Sequence, residues 1–211
     1  MINQSENYII RMAINQDAES CANIHKQEIN GGFLSQLGLK FLKLLYKAII
    51  SSSNTCCIVA ENDRFLVVGF IAVSFNTSKF YKEFFIKYGL RVFFILIFNL
   101  FRPLIMKKVI ESAIYPFKKN KKKENDSIEI TETELLSIAV NQNAKGTGIA
   151  QRLIETMFDE CKRRNIRKIK VIVGAENSRA NRFYEKVGFR FCSNIYIHGS
   201  DVSNVYIKEL N

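Results

Sequence analysis

The stretch NAKGTGIAQRL, residues 143–153, constrains this chain more than any other. It follows an apolar run that ends at Val140. After it come Ala150, Leu153, Ile154, Met157 and Cys161 at helical spacing. A strand, a glycine turn and a helix in that order leave unpaired main-chain N–H groups at the positive end of a helix dipole. Gly146 and Gly148 let a ligand reach the backbone, Ala150 keeps the first turn narrow, and Lys145 adds a cation. The arrangement suits a phosphate-bearing anion; the other reading is a turn that serves only the chain's own geometry. Spacing excludes two common phosphate motifs. A dinucleotide fingerprint would need a small residue where Gln151 stands, and a P-loop needs Gly-Lys-Ser/Thr after four free positions.

The flanking pattern predicts a mixed α/β chain. Tyr8–Met12 reads as a strand, and Asp17 as the N-cap of a helix bearing Cys21, Ile24 and His25. Gly31-Gly32 breaks the chain before helical spacing resumes over Phe33–Ile50. Cys56–Ala60 and Phe65–Ser74 read as a hairpin. Strands are also predicted at Ile128–Val140, Lys168–Val173, Phe191–Ile197 and Asn204–Lys208, about seven in all. A short helix at Ser178–Val187 ends at Gly188 in the C′ position.

Residues 75–127 interrupt this alternation. Their apolar spacing suggests two helices, the second ending before Pro103, and a third at Leu104–Tyr115. Lys118–Asp126 reads as a charged loop. An insertion this long is more often functional than idle. The net charge of +11 is concentrated here, with twelve Lys/Arg against Glu83 and Glu111 between Lys79 and Lys123, alongside eight of the 17 Phe. The rest of the chain is nearly neutral.

With 211 residues, 47% of them hydrophobic, the chain can bury a core and is expected to be one domain, 1–211. Five unevenly spaced cysteines make neither a disulfide framework nor a metal site, and no metal is expected. The first residues lack a basic n-region and a long apolar run. Val92–Phe101 is about half of what a membrane span needs, so a cytoplasmic protein is expected. The basic residues match no nucleic-acid motif, and no specific nucleic-acid partner is expected.

ELLSIAV-x4-KGTGIA, followed by N-x2-A-x2-FYEKVGF, resembles the GCN5-related N-acetyltransferases, the GNAT superfamily, over Glu134–Phe191. The family's turn reads Gln/Arg-x-x-Gly-x-Gly/Ala, so Lys145 is a departure that keeps a cation. The resemblance implies a mixed central sheet whose fourth and fifth strands splay apart, with flanking helices; the helical insertion after the third strand has no counterpart in the minimal family fold. It implies acetyl-CoA as cosubstrate and no metal. Its pyrophosphate would sit on the turn (Lys145, Gly146, Thr147, Gly148, Ile149, Ala150). Its pantetheine would lie along Ile138 and Val140, and Asn177 would hydrogen-bond that arm. Asn177 also reads as a helix N-cap.

Tyr184 occupies the family's general-acid position and also reads as a half-buried core aromatic. Glu134, six residues before Val140, is the implied general base and also reads as an exposed strand carboxylate. His25 is a second candidate base, because imidazole titrates near neutrality. A backbone N–H near Val140 would polarise the acyl carbonyl.

The implied acceptor is a primary amine of a small molecule. The insertion resembles those of members that sit with surface-polysaccharide enzymes, which suggests an amino sugar, nucleotide-linked in one version. A protein or peptide amine is the alternative. So are peripheral contact with a membrane or lipid-linked substrate through 79–123, and a nucleic-acid-binding module without turnover. The oligomeric state stays open, a homodimer included.

Overall fold

The structure, a computed structural model, describes residues 7–97, 131–198 and 201–210. One seven-stranded sheet organises the chain. Its strands are β1 (Tyr8–Met12), β2 (Thr55–Asn62), β3 (Val67–Ser74), β4 (Glu134–Val140), β5 (Lys168–Gly174), β6 (Arg190–His198) and β7 (Asp201–Glu209). Their order is β1-β2-β3-β4-β5-β7-β6, antiparallel except for the parallel β4–β5 pair. The helices are α1 (Ala18–Glu28), α2 (Phe33–Gln36), α3 (Leu39–Ser51), α4 (Thr77–Ile97), α5 (Ile149–Arg163) and α6 (Ser178–Lys186).

The helices cover the sheet on both faces. α1, α3 and α4 bury Cys21, Leu42, Tyr46 and Phe84 against Val59 and Phe70 on one face. α5 and α6 bury Leu153, Ile154, Met157 and Tyr184 against Ile58, Ile71 and Val171 on the other. The central strands β2 and β3 are therefore apolar on both sides, which is why CCIVA and GFIAV read as continuous runs. Leu153, Ile154, Met157 and Cys161 are fully enclosed. Burial of each of the three larger ones stabilises the α5–sheet contact by about 1.5–3 kcal/mol.

Three sequence expectations need correction. The helix expected over Phe33–Ile50 is split at Gly38, whose φ of +91° belongs to the left-handed region, so α2 ends and α3 starts anew. The described part of the insertion is one helix through Gly89, not two. Phe80, Phe84, Tyr88 and Val92 repeat every four residues along one buried stripe, and that stripe holds the helix together. The fourth strand begins at Glu134, because residues 131–133 use their polar groups outside the sheet ladder: Thr133 donates through Oγ1 to Phe75 O, and Thr131 to Lys168 O. The expected helix at Leu104–Tyr115, the loop Lys118–Asp126, the helix end before Pro103 and positions 128–130 of the expected strand lie outside the described residues. Gly188 takes φ +89° after α6, as expected of a C′ glycine, and Phe189 N–H donates to Tyr184 O.

Two irregularities of β4 shape everything beside it. It pairs with β5 only at Glu134↔Lys170 and Leu135↔Val171, and beyond these the strands part. Against β3 the register jumps from Val73↔Leu135 to Ala72↔Ser137, leaving Leu136 as the extra residue of a bulge. Strict alternation would put Leu135 on the face of Ala139. Instead Leu135 packs with Ile138 and Val140 on the α5 side, while Leu136 and Ala139 face α1 and α3.

Candidate active site

The parted strands open a cavity of about 1240 Å³ that reaches the glycine turn, β4, α6 and the loop after α1. Its volume exceeds the roughly 300–1,000 Å³ usual for one small ligand, so two can be accommodated.

At one end lies the turn. Gly146 and Gly148 have φ of +84° and +82°, and a Cβ at either would meet nothing within 4 Å. Glycine is required there by backbone conformation, and the space beside it is left open. Thr147 Oγ1 donates to Ala144 O at 2.7 Å, a bond that holds the turn's shape. The main-chain N–H groups of Gly146, Thr147, Gly148, Ile149 and Ala150 find no acceptor among the described residues, while Gln151 and Arg152 N–H donate to Gly148 O. These donors crown the N-terminus of α5. Lys145 also lines the cavity, with its ammonium ion-paired to Glu28 Oε2 and bonded to Gln142 Oε1. The other Glu28 oxygen accepts from Gln142 N–H at 2.8 Å, so α1 braces the turn. Nothing in the sequence pattern marked Glu28 for this.

Along the middle runs the open edge of β4. Asn141 N–H donates to Val68 O at 2.7 Å, so Asn141 faces β3. Alternation turns the main-chain groups of Ala139 the same way and those of Ile138 and Val140 into the gap. An extended ligand can pair with that edge as a missing strand would.

α6 closes the opposite wall. Asn177 caps it, its Oδ1 accepting from Ala180 N–H at 3.1 Å, and still lines the cavity. The N-cap reading of Asn177 therefore holds, and the same residue also borders the cavity. Asn181, one turn on and missed by sequence reasoning, is buried. Its Nδ2 donates to Gly174 O and Asn177 O, and its Oδ1 accepts from Asn204 and Tyr206, tying β5, α6 and β7 together. Tyr184 lines the cavity at 6% exposure, edge-on to Phe183 and Phe189. Its hydroxyl has no partner among the described residues, and burial pushes its pKa above the phenol value, so it holds its proton at neutral pH.

Glu134 sits at the other end. Its side chain is 14% exposed, 3.5 Å from Lys170 Nζ, and Tyr81 of α4 lies in the same wall. Burial raises the Glu134 pKa and Lys170 partly offsets this. The reading of Glu134 as an exposed carboxylate is thus excluded by its burial. Burial, with Glu134 adding to it, pushes the Tyr81 phenol up as well. His25 is buried on the cavity wall. Its Nδ1 is 2.6 Å from Tyr46 Oη, which is 2.9 Å from Ser137 Oγ on β4. Desolvation lowers the His25 pKa to about 4. The ring is neutral near pH 7 and a weak base.

Comparisons with known proteins agree with this geometry. Residues 114–189 match a family model described as Acetyltransferase (GNAT) family. No curated protein sequence matches. The ribosomal-protein-S18-alanine N-acetyltransferase of Escherichia coli superposes with a TM-score of 0.58 at 12% identity, covering 97% of this chain and 95% of that one. Ard1 from Thermoplasma volcanium gives 0.60 at 17%, covering 97% and 98%. YncA from Salmonella typhimurium, solved with its cofactor acetyl-CoA, gives 0.59 at 13%, covering 97% and 95%. The seven-stranded sheet with its parallel, splayed β4/β5 pair is the GNAT fold. The chain therefore has the GNAT fold, and its residues 114–189 are similar to the acetyltransferases of that family.

Proposed function

We propose that the chain transfers acetyl from acetyl-CoA to a primary amine of a small molecule. The observation that carries this is the row of five unpaired N–H groups from Gly146 to Ala150, at one end of a cavity whose other end holds Glu134. The turn's open space fits a diphosphate, and the edge of Ile138 and Val140 fits an amide-bearing arm, to which Asn177 can donate through its uncommitted Nδ2. Acetyl-CoA supplies the acetyl thioester. Glu134 takes a proton from the ammonium, directly or through water, and its raised pKa brings it closer to that task. Tyr184, kept protonated by burial, returns a proton to the departing thiolate. The main-chain N–H groups of the bulged, open β4 edge stabilise negative charge on the carbonyl oxygen. Alignment of both partners in one water-poor cavity supplies much of the acceleration.

The test is direct. Acetyl-CoA should raise the melting temperature, and free thiol should appear only when an amine is added. An unchanged melting temperature at saturating acetyl-CoA would remove the reading.

Peripheral contact with an anionic lipid surface is a second reading, favoured by one observation. The outward face of α4 exposes Ile86, Leu90, Phe93 and Phe94 beside Lys79, Lys82, Lys87 and Arg91. Co-sedimentation with anionic vesicles, lost at high salt, is expected; equal binding to neutral vesicles would remove it. Among the described residues no helix is long and apolar enough to cross a membrane.

A further inference from the structure

The turn proposed to hold the diphosphate leans on a residue 117 positions earlier in the chain. Glu28 closes α1, and its side chain is 12% exposed. One carboxylate oxygen accepts from Gln142 N–H at 2.8 Å, and the other is ion-paired to Lys145 Nζ. Lys145 Nζ also donates to Gln142 Oε1. These contacts grip residues 142 and 145, the two ends of a tight turn in which Ala144 N–H donates to Asn141 O and Lys145 N–H to Gln142 O. The grip passes onward, because Ala144 is buried and its carbonyl accepts from Thr147 Oγ1. Thr147 stands among the five residues whose N–H groups find no acceptor among the described residues. A short, continuous run of bonds thus joins Glu28 to those donors.

Electrostatics alone argues against a carboxylate at this place. The carboxyl end of α1 carries the negative pole of the helix dipole, and the turn beside it is proposed to receive an anion. A side chain so shielded from water gains little relief from solvent. What holds it there is the pair of partners just named. The same contacts occupy Lys145. Two of its three N–H donors go to Glu28 and Gln142, and the adjacent carboxylate matches its charge. The pair brings no net charge to the turn, so Lys145 is not the free cation that the sequence led one to expect.

We infer that Glu28 is a positioning residue for the cosubstrate, holding the turn in the shape that aims its main-chain donors, with Lys145 as its clamp. This rests on the acetyl-transfer reading and deepens it. The two roles open to Lys145 give opposite signs at Glu28. If the lysine were the diphosphate's cation, removing the carboxylate would free its charge and tighten binding. As a clamp, the pair works together, and loss of either partner loosens the turn.

The test measures the Kd of acetyl-CoA by titration calorimetry on the full chain, which requires no acceptor. Glu28→Gln and Lys145→Met should each raise Kd about three- to tenfold, as befits a hydrogen-bonded ion pair at the edge of a cavity. The double variant should be no weaker than the worse single variant by more than about twofold. Lys145→Gln, whose amide can still donate to Glu28, should recover most of the loss seen in Lys145→Met. That recovery separates clamping from charge, and it carries the test if Glu28→Gln does not fold. Tighter or unchanged binding in Glu28→Gln overturns the inference. So do penalties that multiply in the double variant, or a Lys145→Gln no better than Lys145→Met. Each of these, found while the wild type binds acetyl-CoA, leaves the acetyl-transfer reading standing. No binding by the wild type removes both.

Discussion

The two ends of the cavity are built on different principles. The end proposed for the cofactor is made mostly of backbone: five N–H groups on a left-handed glycine turn and two strand residues on an open edge, with one capping asparagine side chain. The end proposed for the acceptor is made of side chains gathered from α1, α2, α3, α4 and β4. Main-chain recognition tolerates changes of side chain but not of backbone conformation. Side-chain recognition behaves the opposite way. On the proposed reading, the difference makes the first end a general handle for one cosubstrate and the second a place where specificity can differ.

The largest break in that contrast should come from Gly148→Glu. A carboxylate on a residue at φ +82° is strained and repels a diphosphate, so the thermal shift with acetyl-CoA should vanish. A retained shift would show that the turn is not where the cosubstrate binds. Next comes Tyr184→Phe. Its hydroxyl has no partner among the described residues, so the melting temperature should stay put while kcat falls about a hundredfold. An unchanged kcat would return Tyr184 to the core.

Glu134→Gln sharpens the acceptor end. Turnover near neutral pH should fall about tenfold or more. In the wild type, activity should be lost as pH falls through a midpoint above the usual carboxylate value of 4.5, because the base works ionised and burial raises its pKa. An acid limb that survives in the Gln variant would move the base elsewhere.

The smallest effect is on stability. His25 is held neutral with a pKa of about 4, below its ordinary 6.5. On acidification the unfolded chain takes up this proton before the folded one, so the stability contribution is full above about pH 6.5 and is lost toward pH 4. Between pH 7.5 and 5 the wild type should lose about 2 kcal/mol more than His25→Gln in parallel denaturation curves. Parallel pH profiles would mean that the ring is solvated in the folded protein.

The end proposed for the cofactor has a local structure that was largely legible in the sequence, because glycines, a cap and strand-to-helix periodicity are local signals. Gly146, Gly148, Asn177 and Tyr184 all line the cavity. The positions of the core strands were equally readable, from apolar runs such as CCIVA and GFIAV. The bulge at Leu136 was not, since ELLSIAV is apolar on both faces and carries no mark of the extra residue. Nor was Asn181, whose five partners come from two separate segments, 174–177 and 204–206. His25 was noticed as a base. Its burial against Phe70 and Tyr46, which depresses its pKa, depends on a sheet that pairs residues far apart in the chain.

From residue order alone come the glycine turn, the fold class and the donor end, because φ preferences, caps and periodicity act within a few residues of each other. Folding in three dimensions decided the rest. The parting of β4 from β5, the bracing of Lys145 by Glu28 across 117 positions, and the meeting of His25, Tyr46 and Ser137 are contacts between distant segments. Which polar group goes unpaired, and which carboxylate loses its water, is set by whatever the chain packs beside it, and no local pattern encodes that.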